Sequence, residues 1–262
     1  MQRIHFIGAG QMAEAIIRAG VNNGRLAAGR ISIEDTDPAR IRRLTEKYGV
    51  AASTSLADAE LVVIAVRPQD NLSGVAKSII ERAPADAIVV SIVAGVTLAH
   101  LDTLLESRHP LARIIPNTLT DTGYGFSGVA LGDRVKNDDI QDFVESFGKV
   151  LYLEERLLDI FTGFAVAGPN YIYYFIESLT DAGVLAGLPR AQATAVVLEN
   201  LVGAVEMLKR SQLHPRQLLD INNSPAGVGM HGLYELNNSD FAAGLQRSVL
   251  ASVKRTTQLA NE

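Results

Sequence analysis

The sequence predicts an α/β chain in which a doubly wound, mostly parallel sheet comes first and an all-helical segment follows. Three observations carry this reading. Short β-branched runs alternate with helical segments up to about residue 155, a glycine-rich turn joins the first strand to the first helix, and the strand signal stops after about residue 156. At 262 residues the chain exceeds the usual size of a single core, so two domains are expected, 1–156 and 157–262.

Taken in order, the strands are expected at Arg3 to Ile7, Ile31 to Glu34, Leu61 to Val66, Ala87 to Ile92, Ala112 to Ile115, Val129 to Leu131 and Val150 to Leu153. They read as continuous apolar runs rather than alternation, the pattern of strands buried on both faces. Helices between the first four fall at Gln11 to Asn22, Pro38 to Lys47 and Asn71 to Arg82, with Pro38 suited to a first helical turn. In the second half, segments rich in Ala, Leu and Val at Tyr171 to Leu185, Arg190 to Arg210, Arg216 to Asn222 and Phe241 to Leu259 read as helices, and another begins at about Met230. Gly187-Leu188-Pro189 and Ser224-Pro225-Ala226-Gly227 punctuate them as turns. The segment Ala191 to Leu208 carries small and apolar residues on more than one face, so it needs cover on most sides; a homodimer, at least, is expected through this half.

Composition narrows the function. A net charge of -5 with no basic run offers nothing to neutralise a phosphate backbone, so neither nucleic acid nor an acidic membrane is expected as partner. There are no cysteines, which removes disulfides, thiolate metal sites and a cysteine nucleophile together, and the five histidines show no ligand spacing, so no metal is expected. The chain runs straight from Met1 into an apolar strand, and no stretch approaches roughly 18 uninterrupted apolar residues; a cytoplasmic protein is the expectation.

The first strand ends in Gly8-Ala9-Gly10-Gln11-Met12-Ala13, a G-x-G-x-x-A dinucleotide fingerprint placed where strand meets helix. Gly8 permits the tight turn, Gly10 lets the backbone approach a pyrophosphate, Gln11 and Met12 open the helix whose amides receive the anion, and Ala13 lets helix pack on strand. A Rossmann-type domain binding NADH or NADPH follows. Asp35, at the end of the second strand, is the candidate for the adenosine ribose hydroxyls; its other reading is a cap, shared with Asp37, for the Pro38 helix. A carboxylate there repels a 2'-phosphate, which leans the choice toward NADH, although Arg40, Arg42 and Arg43 follow and could approach such a phosphate. Later strand ends at Val66-Arg67-Pro68 and Ala94 lie along the carboxyl edge of the sheet and join the expected coenzyme site. Asn117 joins it too, with local backbone capping as the alternative.

Together these motifs resemble the pyrroline-5-carboxylate reductase family, which reduces a cyclic imine to proline with a nicotinamide coenzyme. The matching stretches are Phe6 to Ala13, Ala65-Val66-Arg67-Pro68-Gln69, Ser91-Ile92-Val93-Ala94-Gly95-Val96, Arg113-Ile114-Ile115-Pro116-Asn117-Thr118, Gly168-Pro169 with Tyr171, and Asp181-Ala182-Gly183-Val184 through Arg190, in the family's order over almost the whole chain. The resemblance implies a Rossmann domain followed by a helical dimerisation domain, an imine carboxylate as substrate, and binding of that carboxylate by Ser224 and the backbone amides of Gly227 to Gly229.

The sequence departs from the family where substrate sits. A loop similar to Ser-Pro-Gly-Gly-Thr-Thr here reads Ser224-Pro225-Ala226-Gly227-Val228-Gly229, so Gly229 replaces the threonine that the family associates with the imine nitrogen. A stretch similar to Ser-Gly-Ser-Gly-Pro-Ala-Tyr reads Ala165-Val166-Ala167-Gly168-Pro169-Asn170-Tyr171. Main-chain donors survive side-chain replacement, and restoring the hydroxyl with Gly229→Thr is expected to raise proline formation if that group is what is missing. Alternatives are a reductase of a different imine and a non-catalytic nucleotide-binding paralogue with a regulatory role. A 3-hydroxyacid dehydrogenase is disfavoured, because no lysine occurs between Leu153 and Met207.

Overall fold

A computed structural model describes residues 2–67 and 69–259. Eight strands, β1 (Ile4–Ile7), β2 (Ile31–Glu34), β3 (Ala51–Ala52), β4 (Leu61–Ile64), β5 (Ile88–Ser91), β6 (Leu111–Pro116), β7 (Phe126–Leu131) and β8 (Lys149–Tyr152), form one sheet in the order β3-β2-β1-β4-β5-β6-β7-β8. Only the β6–β7 pair is antiparallel. The chain moves outward from β1 to β3 and then returns to β4 on the other side of β1. The sheet therefore reverses direction beside β1, the place where such sheets open a crevice at their carboxyl edge.

Helices α1 (Gln11–Asn22), α2 (Pro38–Tyr48), α3 (Leu72–Arg82), α4 (Leu98–Leu104), α5 (Asn137–Glu145) and the short α6 (Leu158–Phe161) accompany the sheet. Their ends are chemically marked. Asp37 Oδ1 accepts from the Ala39 amide at 2.9 Å, Pro38 fills the first turn of α2, and Gly49 closes it in the left-handed region at φ 71°. Asn71 caps α3 and Thr97 caps α4. Ile16 and Ile17 of α1, Leu44 of α2 and Phe143 of α5 bury against Phe6, Ile31 and Ile33 on one side of the sheet. Ile79 of α3 and Leu101 of α4 bury against Ile64 and Val89 on the other. Each such side chain stabilises the fold by about 1.5–3 kcal/mol.

The predicted elements differ in detail. β3 has two residues and no β-branched signal and α4 has only seven; neither these nor α5, whose Ile140, Phe143 and Val144 bury at helical spacing, was expected. The fourth strand stops at Ile64 rather than Val66 because the Gly8 turn packs against the Ala65 carbonyl. β7 begins at Phe126, earlier than Val129, because its antiparallel pairing with β6 runs back to Ser127 opposite Pro116. The compact units also divide elsewhere than at residue 157. The first extends to Ala167 and takes in the chain from Ala251, and the second is Gly168–Leu250. Leu158 and Phe161 belong with the first because they bury with Ile115 and Ala130.

The second unit holds α7 (Gly168–Leu185), α8 (Arg190–Ser211), α9 (Pro215–Ile221) and α10 (Val228–Asn237), and the last helix, α11 (Phe241–Leu259), begins in it. Tyr174, Leu185, Val202 and Ile221 are exposed, and Val228 reaches 93%. By length and mean hydropathy α8 is apolar enough to cross a bilayer, though Glu199 and Glu206 interrupt it. An apolar surface of this size marks an association surface.

His5 is an odd side chain for β1. It is 1% exposed, with Nδ1 2.8 Å from Ser32 Oγ, and burial pushes its pKa down from 6.5 to about 4 despite the Glu34 carboxylate nearby. Between pH 6.5 and about 4 only the unfolded chain takes up this proton, so stability falls as pH falls through that window. The loss from His5 should approach about 3 kcal/mol and end below the folded pKa. Urea denaturation at several pH values should show this slope in the native chain and a shallower one in His5→Gln.

Candidate functional site

The glycine turn is wedged between two neighbours of β1. Ile7 stands in register with Glu34 of β2 and Ile64 of β4, and the Gly8 amide donates to the Glu34 carbonyl at 2.8 Å. Gly8 adopts φ 102°, and a Cβ there would lie 2.6 Å from the Ala65 carbonyl oxygen, so no other residue fits. Gly10 begins α1 in extended conformation, with no side-chain cap over the helix and nothing within 4 Å of where a Cβ would point. The first amides of α1, at Gln11 and Met12, have no partner within the helix. An open space over uncapped amides at a helix N-terminus fits a pyrophosphate. Buried Ala13 lets α1 lie close on the sheet.

Asp35 is placed differently from expectation. Its carboxylate is 6% exposed, and one oxygen accepts from the Ala9 amide at 2.7 Å while the other accepts from the Asp37 amide at 2.8 Å. The acid is spent on the main chain of the glycine turn, and the cap of α2 is Asp37 alone. Arg40 is partly exposed beside it, 3.5 Å from Asp35 and 3.4 Å from Asp37. Arg43 instead pairs with Glu14 of α1 at 2.6 Å. Glu14 also meets Arg18, Lys47 and the Tyr48 hydroxyl; these partners together hold its carboxyl below the usual range against the opposing effect of burial.

Val66 lies against the turn, its nitrogen 3.1 Å from the position of a Gly8 Cβ. Arg67 is exposed and paired with Asp70 at 2.9 Å. Pro68 lies outside the described residues. Ala94 is exposed on the turn after β5. Asn117 is buried, and its Oδ1 accepts from the Leu119 and Phe126 amides at 3.2 and 3.1 Å, so it closes the β6–β7 hairpin; the local-capping reading describes its oxygen. Sequence reasoning missed a clamp next to this edge. Glu155 Oε1 accepts at 2.6 Å both from the Leu98 amide at the start of α4 and from Arg113 Nη1, whose side chain is 4% exposed in β6. The available signal was an arginine inside an apolar strand, which requires a buried partner.

In the second unit, the turn between α9 and α10 holds the residues expected to bind substrate. Gly227 is the N-cap of α10 with no side-chain cap, so Ser224 does not cap the helix, and Val228 and Gly229 carry its first amides. A Cβ on Gly227 would lie 2.5 Å from Ser224 Oγ, and Ala226 stands in the left-handed region at φ 55°. His231 is exposed in the first turn of α10. Among the described residues no cluster of histidine and carboxylate groups suits a metal ion.

A doubly wound sheet with an uncapped helix behind a glycine turn at its reversal point defines an NAD(P)H-dependent oxidoreductase. Residues 3–95 match the family "NADP oxidoreductase coenzyme F420-dependent", and residues 155–259 match "Pyrroline-5-carboxylate reductase dimerisation". Pyrroline-5-carboxylate reductase of Pisum sativum is 34% identical, covering 97% of this chain and 95% of that protein. The enzyme of Methanosarcina acetivorans is 30% identical over 100% and 99%. The crystal structure of Plasmodium falciparum pyrroline carboxylate reductase with NADP bound is similar with a TM-score of 0.86 and 27% identity, covering 99% of this chain and 98% of that one. The chain belongs to the pyrroline-5-carboxylate reductase family, and its helical half is the family's self-association region.

Two substitutions test this geometry. Asp35→Asn turns a donor toward one of two backbone amides; it should cost about 1–2 kcal/mol in urea denaturation and weaken coenzyme binding in a fluorescence titration. Ala226→Gly should raise stability by about 1 kcal/mol, read as a higher melting temperature, because it relieves a left-handed alanine.

Proposed function

We propose that this protein reduces 1-pyrroline-5-carboxylate to L-proline as a cytoplasmic homodimer or larger self-assembly. The observation that carries the reading is that α1 and α10 both begin without a side-chain cap. Gly10 opens α1 and Gly227 opens α10, each without a side-chain cap, so the losses at Ala165, Ala167 and Gly229 leave their amides in place. The first site takes the coenzyme pyrophosphate through Gly8, Gly10, Gln11 and Met12, with Val66, Ala94 and Asn117 along the same edge. The second takes the substrate carboxylate through Gly227 to Gly229, with Ser224 beside it.

When bound, the reduced nicotinamide supplies a hydride to the C=N carbon. The residues of this chain hold the carboxylate and orient the ring, and a substrate already protonated on nitrogen needs no acid from the protein, so positioning supplies most of the rate. A carboxylate at Asp35 repels a 2'-phosphate and favours NADH, whereas a guanidinium beside it attracts one. With that carboxylate on the Ala9 and Asp37 amides and Arg40 next to it, both NADH and NADPH are accepted.

The expected result is proline formation from pyrroline-5-carboxylate with either coenzyme, followed by coenzyme absorbance and chromatography of the product. Turnover confined to other imines would move the assignment to a different substrate, and coenzyme binding without any reduction would make the chain a regulatory paralogue.

A further inference from the structure

Gly229, in place of the family's threonine, leaves a gap that another residue fills. A Cβ on Gly229 would lie 2.0 Å from Asn223 Oδ1, so the amide oxygen of Asn223 already occupies the space that a side chain on 229 would take. The orientation of this amide is set from behind, because Asn223 Nδ2 donates to the Leu219 carbonyl at 2.6 Å and that carbonyl can only accept. The oxygen itself is buried and has no hydrogen-bond partner, an arrangement that destabilises a protein unless a donor arrives. Both residues lie on the α9–α10 turn, Asn223 two residues after α9 ends and Gly229 in the first turn of α10.

We propose that Asn223 supplies, from the preceding turn, the polar contact to substrate nitrogen that a threonine on 229 would supply, which makes it a specificity-determining residue. The inference rests on the reading that this turn binds the imine carboxylate. An amide oxygen accepts but cannot donate, so its partner is the N–H of the protonated imine, and of the amine formed when hydride from the reduced coenzyme adds to carbon and the electron pair of the C=N bond passes to nitrogen. The proton is already on nitrogen when the substrate binds. The oxygen is covered in the free chain, so engaging a ligand requires the Asn223 side chain to leave the Leu219 carbonyl and turn outward. Gly229→Thr alone therefore does not restore the family arrangement: its Cβ is driven into Asn223, and the hydroxyl gains room only when Asn223 is shortened.

Two ligands of one shape separate the roles. L-proline carries the carboxylate and an N–H donor, whereas tetrahydrofuran-2-carboxylate keeps the ring and carboxylate and offers only an acceptor. Calorimetric titration into the protein saturated with oxidised coenzyme should show Asn223→Ala weakening proline about tenfold with the furan acid unaffected and the melting temperature unchanged. Asn223→Ala with Gly229→Thr should recover proline binding, whereas Gly229→Thr alone should weaken both ligands. Asn223→Ser, which keeps an uncharged acceptor oxygen, should bind proline more tightly than the alanine variant does and serves if that variant does not fold. Equal weakening of both ligands by Asn223→Ala, or none, overturns the proposal while leaving the carboxylate site standing. A native protein that binds neither ligand overturns the carboxylate site as well.

Discussion

The end of β1 is compressed between the carbonyls of Glu34 and Ala65, and the whole coenzyme edge depends on a residue without a side chain passing between them. Gly8 alone satisfies both the positive φ and the 2.6 Å approach. Once the turn is forced into this path, Ala9 presents its amide to Asp35 and Gly10 begins α1 facing open space. The uncapped amides of α1 then follow from the backbone, and no charged side chain is needed to draw a phosphate there. Asp35 latches this turn through its contacts with the Ala9 and Asp37 amides.

The same economy recurs in the second unit. Gly227 opens α10 without a cap, and the substrate-side departures from the family fall on side chains rather than on these amides. A site built from main chain tolerates exchange of the groups around it, which is why the altered turn is compatible with the family's chemistry. The cost is visible at Ala226, held in the left-handed region where the family pattern has glycine.

Two partly buried charge pairs lie in the first unit. Arg113 reaches Glu155, which also receives the first amide of α4, and Glu34 receives both arms of Arg82 at 2.8 and 2.9 Å. Removing Glu155 would leave the Arg113 guanidinium uncompensated in the interior, so this pair ties the start of α4 to β6. In the helical unit the balance is reversed, with Leu185 at 88% exposure and Val228 higher still.

The strands, the first three helices and the glycine turn were legible in the sequence because local rules determine them: continuous apolar runs make doubly buried strands, and Gly8 and Gly10 have one conformational use at a strand-to-helix junction. The α9–α10 turn was legible in the same way from Pro225 and Gly227. The contact of Asp35 with the Ala9 amide and that of Arg113 with Glu155 were not, nor were β3 and the return of the chain from Ala251 to the first unit. Each of those depends on which distant backbone group faces a side chain after folding, and periodicity carries no record of that. Gly229 shows the difference most directly: read along the chain it is a missing hydroxyl, and in three dimensions it is the space into which Asn223 fits.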